Sequence, residues 1–204
     1  MNTHATVQSS DVRTTILATG QRIMAGKGYS AVGLNEILTA AGVPKGSFYH
    51  YFGSKDAFGE AMLERYFEDY LAELDRTLQQ PGMTMAQRLM DYWRTWEASQ
   101  SFYECQGKCL AVKLGAEVAD LSEAMRLALQ RGTQAIIDRL AMAIAAGVDE
   151  GSLRLDADSD AGSVARSLYQ SWLGASIMAK IERTTLPFAT ALASTRQILH
   201  LPLR

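Results

Sequence analysis

Apolar residues recur along the chain at three- and four-residue intervals almost without a break, and no stretch alternates for long as a half-buried strand would. A first helix is expected from Ser10, carrying Val12, Ile16, Leu17, Ile23 and Met24 inward, to a stop at Gly26-Lys27-Gly28. Short helices are expected over 34–41, stopped by Gly42, and over 45–52. Gly53 then breaks the chain, and Ser54 is a suitable N-cap for a long helix with the inner row Phe58, Met62, Tyr66, Tyr70, Leu74 and Leu78. Pro81-Gly82 ends it. Thr84-x-x-Gln87 is a capping-box pattern opening a helix that buries Leu89, Met90, Trp93 and Trp96. After an irregular segment at 101–107, a short helix is expected over 109–116. Asp120-x-x-Glu123 then opens a long one through Met125, Leu129, Ile136, Leu140 and Ile144 to Gly147. The last two helices are expected at about 159–183 and, with Pro187 in the first turn, at 187–199. The pattern is that of an all-α protein of about nine helices.

Composition narrows the class. The 204 residues are 48% hydrophobic and 21% charged, which supplies a sizeable core and argues against disorder. The net charge of −2 leaves no polybasic tail and no acidic block. The N-terminus is polar and no apolar run approaches the roughly 20 residues needed to span a bilayer, so a cytoplasmic protein without a membrane partner is expected. Two cysteines cannot form a disulfide framework. Cys105 and Cys109 make one C-x3-C pair without a second pair, and His4, His50 and His200 are scattered. Neither a metal site nor a cofactor is expected.

The stretch from Gly33 to Phe52 reads as helix, tight turn at Ala41-Gly42-Val43, and second helix, a helix-turn-helix. With Leu34, Ile37, Leu38, Val43, Phe48 and Phe52 facing inward, Lys45, Ser47, Tyr49, His50 and Tyr51 are left on the surface. These are a cation, a hydroxyl, an imidazole and two phenols, all able to donate to phosphate oxygens or base edges. Gly46 lets the backbone approach a groove closely. Lys55 lies in the first turn of the next helix, where its charge is mildly unfavourable unless a phosphate docks there.

The run Gly-Ser-Phe-Tyr-His-Tyr-Phe, followed by Ser-Lys-Asp-Ala-Phe, resembles the DNA-binding domain of the TetR family of transcriptional repressors over roughly residues 10–62. The resemblance implies a homodimer joined through the last two helices, DNA contacts from Lys45, Gly46, Ser47, Tyr49, His50, Tyr51 and Lys55, and a base-reading candidate in Asn35. It also implies a DNA-binding domain at 1–53 and an effector-sensing and dimerisation domain at 54–204. The first sixty residues hold five basic and four acidic side chains, a weak electrostatic footprint for a nucleic-acid binder. Local phosphate contacts and two-fold symmetry on an inverted-repeat operator are therefore expected to hold the duplex, rather than a broad positive field.

Cys109 is expected at a helix N-terminus beside Lys108, with Lys113 one turn on, an environment that favours the thiolate. A lone cysteine is more often a small, inert core residue. Cys109-Leu-x-Val-Lys-Leu-x-Ala-Glu-Val-x-Asp-Leu-Ser-Glu, with Trp172-Leu-Gly-Ala-Ser-Ile-Met-Ala-Lys-Ile181, is similar to the NemR subgroup of the same family over nearly the whole chain. That resemblance implies release of DNA when an electrophile or oxidant modifies Cys109, control of reductase genes, and a sensing role for Lys180, which interrupts an apolar helix face. A lysine there can also simply extend its ammonium into water. Cys105 is a secondary sensing candidate. The chain departs from the subgroup in carrying Ala119 where another cysteine can stand and in a shorter loop before Cys109. Two other functions stay open: a repressor induced by a non-covalent apolar ligand held among Trp93, Trp96, Phe102, Met142 and Trp172, and a thiol enzyme, for which no histidine forms a recognisable dyad with Cys109.

Overall fold

The computed structural model describes residues 3–99 and 109–202 in backbone, and side chains from residue 12 onward. Among the described residues the protein is all-helical, with nine helices: α1 (Thr3–Lys27), α2 (Leu34–Ala41), α3 (Lys45–Phe52), α4 (Lys55–Leu78), α5 (Met85–Ser99), α6 (Leu110–Leu121), α7 (Glu123–Asp149), α8 (Ala161–Glu182) and α9 (Leu186–Ile198). Cys105 and Phe102, with the segment 101–107, lie outside the described residues.

Packing divides the chain into two compact units. One holds the described residues up to Phe67 and those from Cys109 to Arg131. The other holds those from Glu68 to Ser99 and from Gly132 onward. This division is by contact and partitions the chain differently from the functional boundary expected at 53/54.

Local chemistry explains several helix ends. Gly42 closes α2 in the left-handed region at φ 66°, its N–H on the Thr39 carbonyl and the Val43 N–H on that of Leu38, the paired bonds of a Schellman motif. The Ser54 hydroxyl accepts the Ala57 N–H at 3.0 Å and starts α4. Thr84 and Gln87 cap α5 reciprocally: the Thr84 N–H donates to Gln87 Oε1 at 2.8 Å, and the Gln87 N–H to Thr84 Oγ1 at 3.3 Å. Asp160 caps α8 by accepting the Ser163 N–H at 2.9 Å.

Three boundaries differ from expectation. α1 begins at Thr3 rather than Ser10, since no proline or glycine interrupts the preceding residues. α6 runs to Leu121, past the expected end at 116, so Asp120 lies inside it and is no cap. Ser122 makes the junction instead, taking the Met125 N–H on its hydroxyl, while Glu123 forms a two-point pair with Arg126. α7 continues through Gly147 to Asp149. Gly147 is there for packing: a Cβ on it would lie 2.5 Å from Leu153 Cδ1.

In the first unit, Ile16, Leu17 and Met24 of α1 meet Ile37 and Leu38 of α2 and Phe48 of α3 in a core that also takes Phe58, Met62 and Leu63. In the second unit, the indoles of Trp93 and Trp172 stack at 4.8 Å, and Phe188 stacks beyond Trp172 at 6.1 Å. Trp93 Nε1 is buried without a hydrogen-bond partner, but the neighbouring polar groups are bonded. Trp96 Nε1 donates to Ser176 Oγ, Ser176 Oγ to the Trp172 carbonyl, and Trp172 Nε1 to Thr195 Oγ1. Deleting a side chain of this size from such a core costs about 3–5 kcal/mol.

Candidate nucleic-acid interface and sensing region

α3 is oriented from within. Phe48 is fully buried and Phe52 nearly so, their rings 5.5 and 5.2 Å from that of Phe58 at the start of α4. A Cβ on Gly20 would sit 2.3 Å from Phe58 Cζ, so the absence of a side chain at that point in α1 gives this aromatic cluster its seat. With two phenylalanines anchored, the opposite face of an eight-residue helix has to be exposed. Lys45, Gly46, His50 and Tyr49 (52% exposed) stand on it, with Ser47 and Tyr51 half-buried at its margins. The rings of His50 and Tyr51 meet edge to face at 4.9 Å. Asn35 on α2 and Lys45 on α3 line one shallow cleft over the turn, with Thr39, Gly42 and Pro44. The DNA-contact candidates from 35 to 51 thus converge on one surface.

Lys55 is the exception. Its ammonium lies 4.4 Å over the Tyr29 ring and donates to the Tyr29 carbonyl at 3.0 Å. Tyr29 itself is buried, and its phenol donates to Asp56 Oδ1 at 3.0 Å. Burial, then the bond to Asp56 and the negative charges of Asp56 and Glu117, push the Tyr29 hydroxyl well above the usual phenol range.

Cys109 is the N-cap residue of α6 and is 4% exposed. Its carbonyl accepts the Lys113 N–H at 3.1 Å. Two turns further, the Glu117 carboxylate spans two backbone donors, the Tyr29 N–H at 3.0 Å and the Ser30 N–H at 2.7 Å. Burial pulls that carboxyl upward. The Ser30 and Tyr29 hydrogen bonds and the Lys113 charge outweigh it and hold the group below its ordinary value. Sequence reasoning passed over Glu117 as a site residue. The only local hint is Gly28, at φ 95°, where a Cβ would stand 3.1 Å from Glu117 Oε2.

Lys180 is half-buried near the end of α8. The supposed ligand-pocket residues do not form one wall. Trp93, Trp96 and Trp172 are packed against each other as core, whereas Met142 is 63% exposed on α7. Among the described residues no group of three His, Cys, Asp or Glu side chains could hold a metal ion. His200 pairs with Asp156 at 2.9 Å. Among the described residues no helix is long and apolar enough to cross a membrane.

The C-terminal half of α8 and the start of α9 expose apolar side chains among polar ones. Ile177, Met178 and Ile181 of α8 and Leu186 at the start of α9 are 42–68% exposed, beside a groove that Ala175 and Pro187 help to line.

Comparison with known proteins matches residues 16–62 to the family model of bacterial regulatory proteins, tetR family, and residues 86–195 to the tetracyclin repressor-like C-terminal domain. The HTH-type transcriptional repressor NemR of Escherichia coli (strain K12) is 39% identical over 202 residues, covering 99% of each chain. The HTH-type transcriptional repressor DhaR of Mycobacterium sp. (strain GP1) is 33% identical over 92% of this chain and 96% of its own. The crystal structure of reduced E. coli NemR superposes with a TM-score of 0.88 at 40% identity, covering 95% of this chain and all of that one. The chain belongs to the tetR family of bacterial regulatory proteins, and it is a DNA-binding transcriptional repressor of that family rather than an enzyme.

Proposed function

We propose that the protein works in the cytoplasm as a homodimer that holds an inverted-repeat operator and releases it when Cys109 is covalently modified. The observation that supports this reading is the buried Cys109 side chain at the start of α6, in the same compact unit as the helix-turn-helix. Residues 1–53 bind DNA, and 54–204 sense and dimerise. Lys45, Ser47, Tyr49, His50, Tyr51 and Lys55 donate to phosphates and bases, Gly46 admits the backbone, and Asn35 reads a base edge. Two recognition helices in successive major grooves require half-sites about 34–36 Å apart.

Dimerisation uses α8 and α9, whose exposed apolar row would pair with its own copy across a two-fold axis. The modification is conjugate addition or oxidation. In the first, the thiolate lone pair forms a carbon–sulfur bond to an electron-poor alkene. The π pair moves to the neighbouring carbon, which takes a proton from water. In the second, the thiolate attacks a peroxide oxygen, the O–O bond breaks, and sulfenic acid and hydroxide result.

Either product adds volume or polarity at a packed position, and overpacking of this kind costs about 1–3 kcal/mol. Only the difference in that cost between a DNA-competent and a released conformation shifts the population. α4, which runs on from the recognition segment, carries part of that shift. Lys180 and Cys105 are secondary participants, and the controlled genes are reductases that consume electrophiles, as the resemblance implies.

A gel shift with a palindromic fragment from upstream of the gene tests the reading. Reduced wild type retards it and N-ethylmaleimide releases it, whereas Cys109→Ser binds equally and ignores the reagent. Release of Cys109→Ser by N-ethylmaleimide would overturn the covalent scheme in favour of a non-covalent inducer.

A further inference from the structure

One chain of hydrogen bonds joins α6, the helix capped by Cys109, to a DNA-contact candidate. Glu117 Oε2 accepts the Tyr29 N–H, and the Tyr29 carbonyl accepts the Lys55 ammonium. The second Glu117 oxygen takes the Ser30 N–H, so the carboxylate grips two consecutive amides just beyond the end of α1. Consecutive amides after a left-handed residue form an anion-binding concavity, and Gly28 at φ 95° supplies that turn. Eight residues of helix, about 12 Å of axis, separate Cys109 from Glu117. A helix of that length moves as a rod. Tyr29 also touches α4 directly, through its phenol on Asp56 and through its ring, which would lie 3.0 Å from a Cβ on Gly59.

We infer that Glu117 is the positioning residue that couples the state of Cys109 to the DNA-binding helices, through its grip on Tyr29 and Ser30 and the Tyr29–Lys55 bond. The inference deepens the covalent reading above and rests on it. A shift of α6 at its cysteine end drags the carboxylate, which moves the 28–30 turn. That in turn releases or tightens the Lys55 ammonium relative to a phosphate at the N-terminus of α4. The depressed carboxyl of Glu117 agrees with a charged, bonded group at neutral pH.

Two measurements test it. The first compares operator dissociation constants before and after N-ethylmaleimide labelling for wild type, Glu117→Gln, Glu117→Ala and Tyr29→Phe. Couplings between sites commonly amount to about 5–150-fold in affinity. Loss of the grip should bring the labelled-to-unlabelled ratio of both Glu117 variants to within about threefold of unity, with Cys109 still labelled stoichiometrically by mass. Tyr29→Phe, which keeps the backbone bonds, should retain most of the wild-type ratio. A full wild-type ratio in Glu117→Gln, or a lower melting temperature with the ratio intact, overturns the inference and leaves Glu117 a structural residue.

The second measurement needs no variant and decides the matter if the Glu117 proteins do not fold. In wild type, amide exchange at Tyr29 and Ser30 should change by about tenfold or more on labelling. Unchanged exchange alongside loss of operator affinity overturns the coupling. A wild-type protein whose operator affinity does not respond to labelling refutes the covalent reading itself, and the coupling with it.

Discussion

Ile181→Asp is the sharpest perturbation of the proposed dimer. Ile181 is 68% exposed in the protomer, the most exposed large apolar side chain on α8. Full burial of an isoleucine contributes about 1.5–3 kcal/mol, so covering the exposed two-thirds contributes about 1–2 kcal/mol. A two-fold interface counts each residue twice, giving about 2–4 kcal/mol lost, or roughly a 30- to 700-fold weaker dimer. Two carboxylates brought into an apolar contact add a desolvation penalty in the same direction. Sedimentation equilibrium reads the dissociation constant directly. Circular dichroism should show an unchanged helical content, because the residue contributes nothing to the protomer core. Operator affinity on a full inverted repeat should fall towards that on a half-site, since one protomer docks only one groove. A dissociation constant within threefold of wild type would refute the assignment of this face to the dimer.

Other perturbations probe the remaining links. Gly20→Ala should lower the melting temperature and weaken operator binding together, because the added methyl lands 2.3 Å from Phe58 in the cluster that seats α3. Overpacking at about 1–3 kcal/mol exceeds the gain of up to about 1 kcal/mol from alanine in a helix, and a rise in stability would contradict this packing. Lys45→Ala should weaken binding to all sequences alike and reduce the slope of log affinity against log salt by about 0.9 per lost contact, or about 1.8 for a dimer. An unchanged slope would remove Lys45 from the phosphate contacts. Because the Glu117 carboxyl lies below its ordinary value in the folded protein, its contribution is present above the unfolded pKa of about 4.3. That contribution is lost as pH falls through the lower folded value. Glu117→Gln should therefore flatten the acid limb of a stability profile measured by urea unfolding, and an identical limb would count against the Tyr29–Ser30 bonds.

Much of this molecule was legible in one dimension because its signals are local. The Gly42 turn, the Ser54 cap and the Thr84–Gln87 box each depend on residues within a few positions, and the heptad-like rows declare which face of each helix is buried. The two phenylalanines of α3 were enough to assign its outer face. Where capping patterns misled, at Asp120 and Gly147, the local preference yielded to packing: α6 continues past 116 with Val118 buried, and α7 runs through Gly147 because that residue lies against Leu153.

Sequence alone therefore determined the all-helical class, the helix-turn-helix and the side chains it presents. Only the folded chain could decide that Lys55 is held against Tyr29, that Met142 is exposed while three tryptophans pack together, and that Glu117 reaches across 88 positions to Tyr29. The reason is physical: caps and periodicity are set by neighbours along the chain, whereas a carboxylate finding two distant amides depends on how helices pack in space, which no short window of residues encodes.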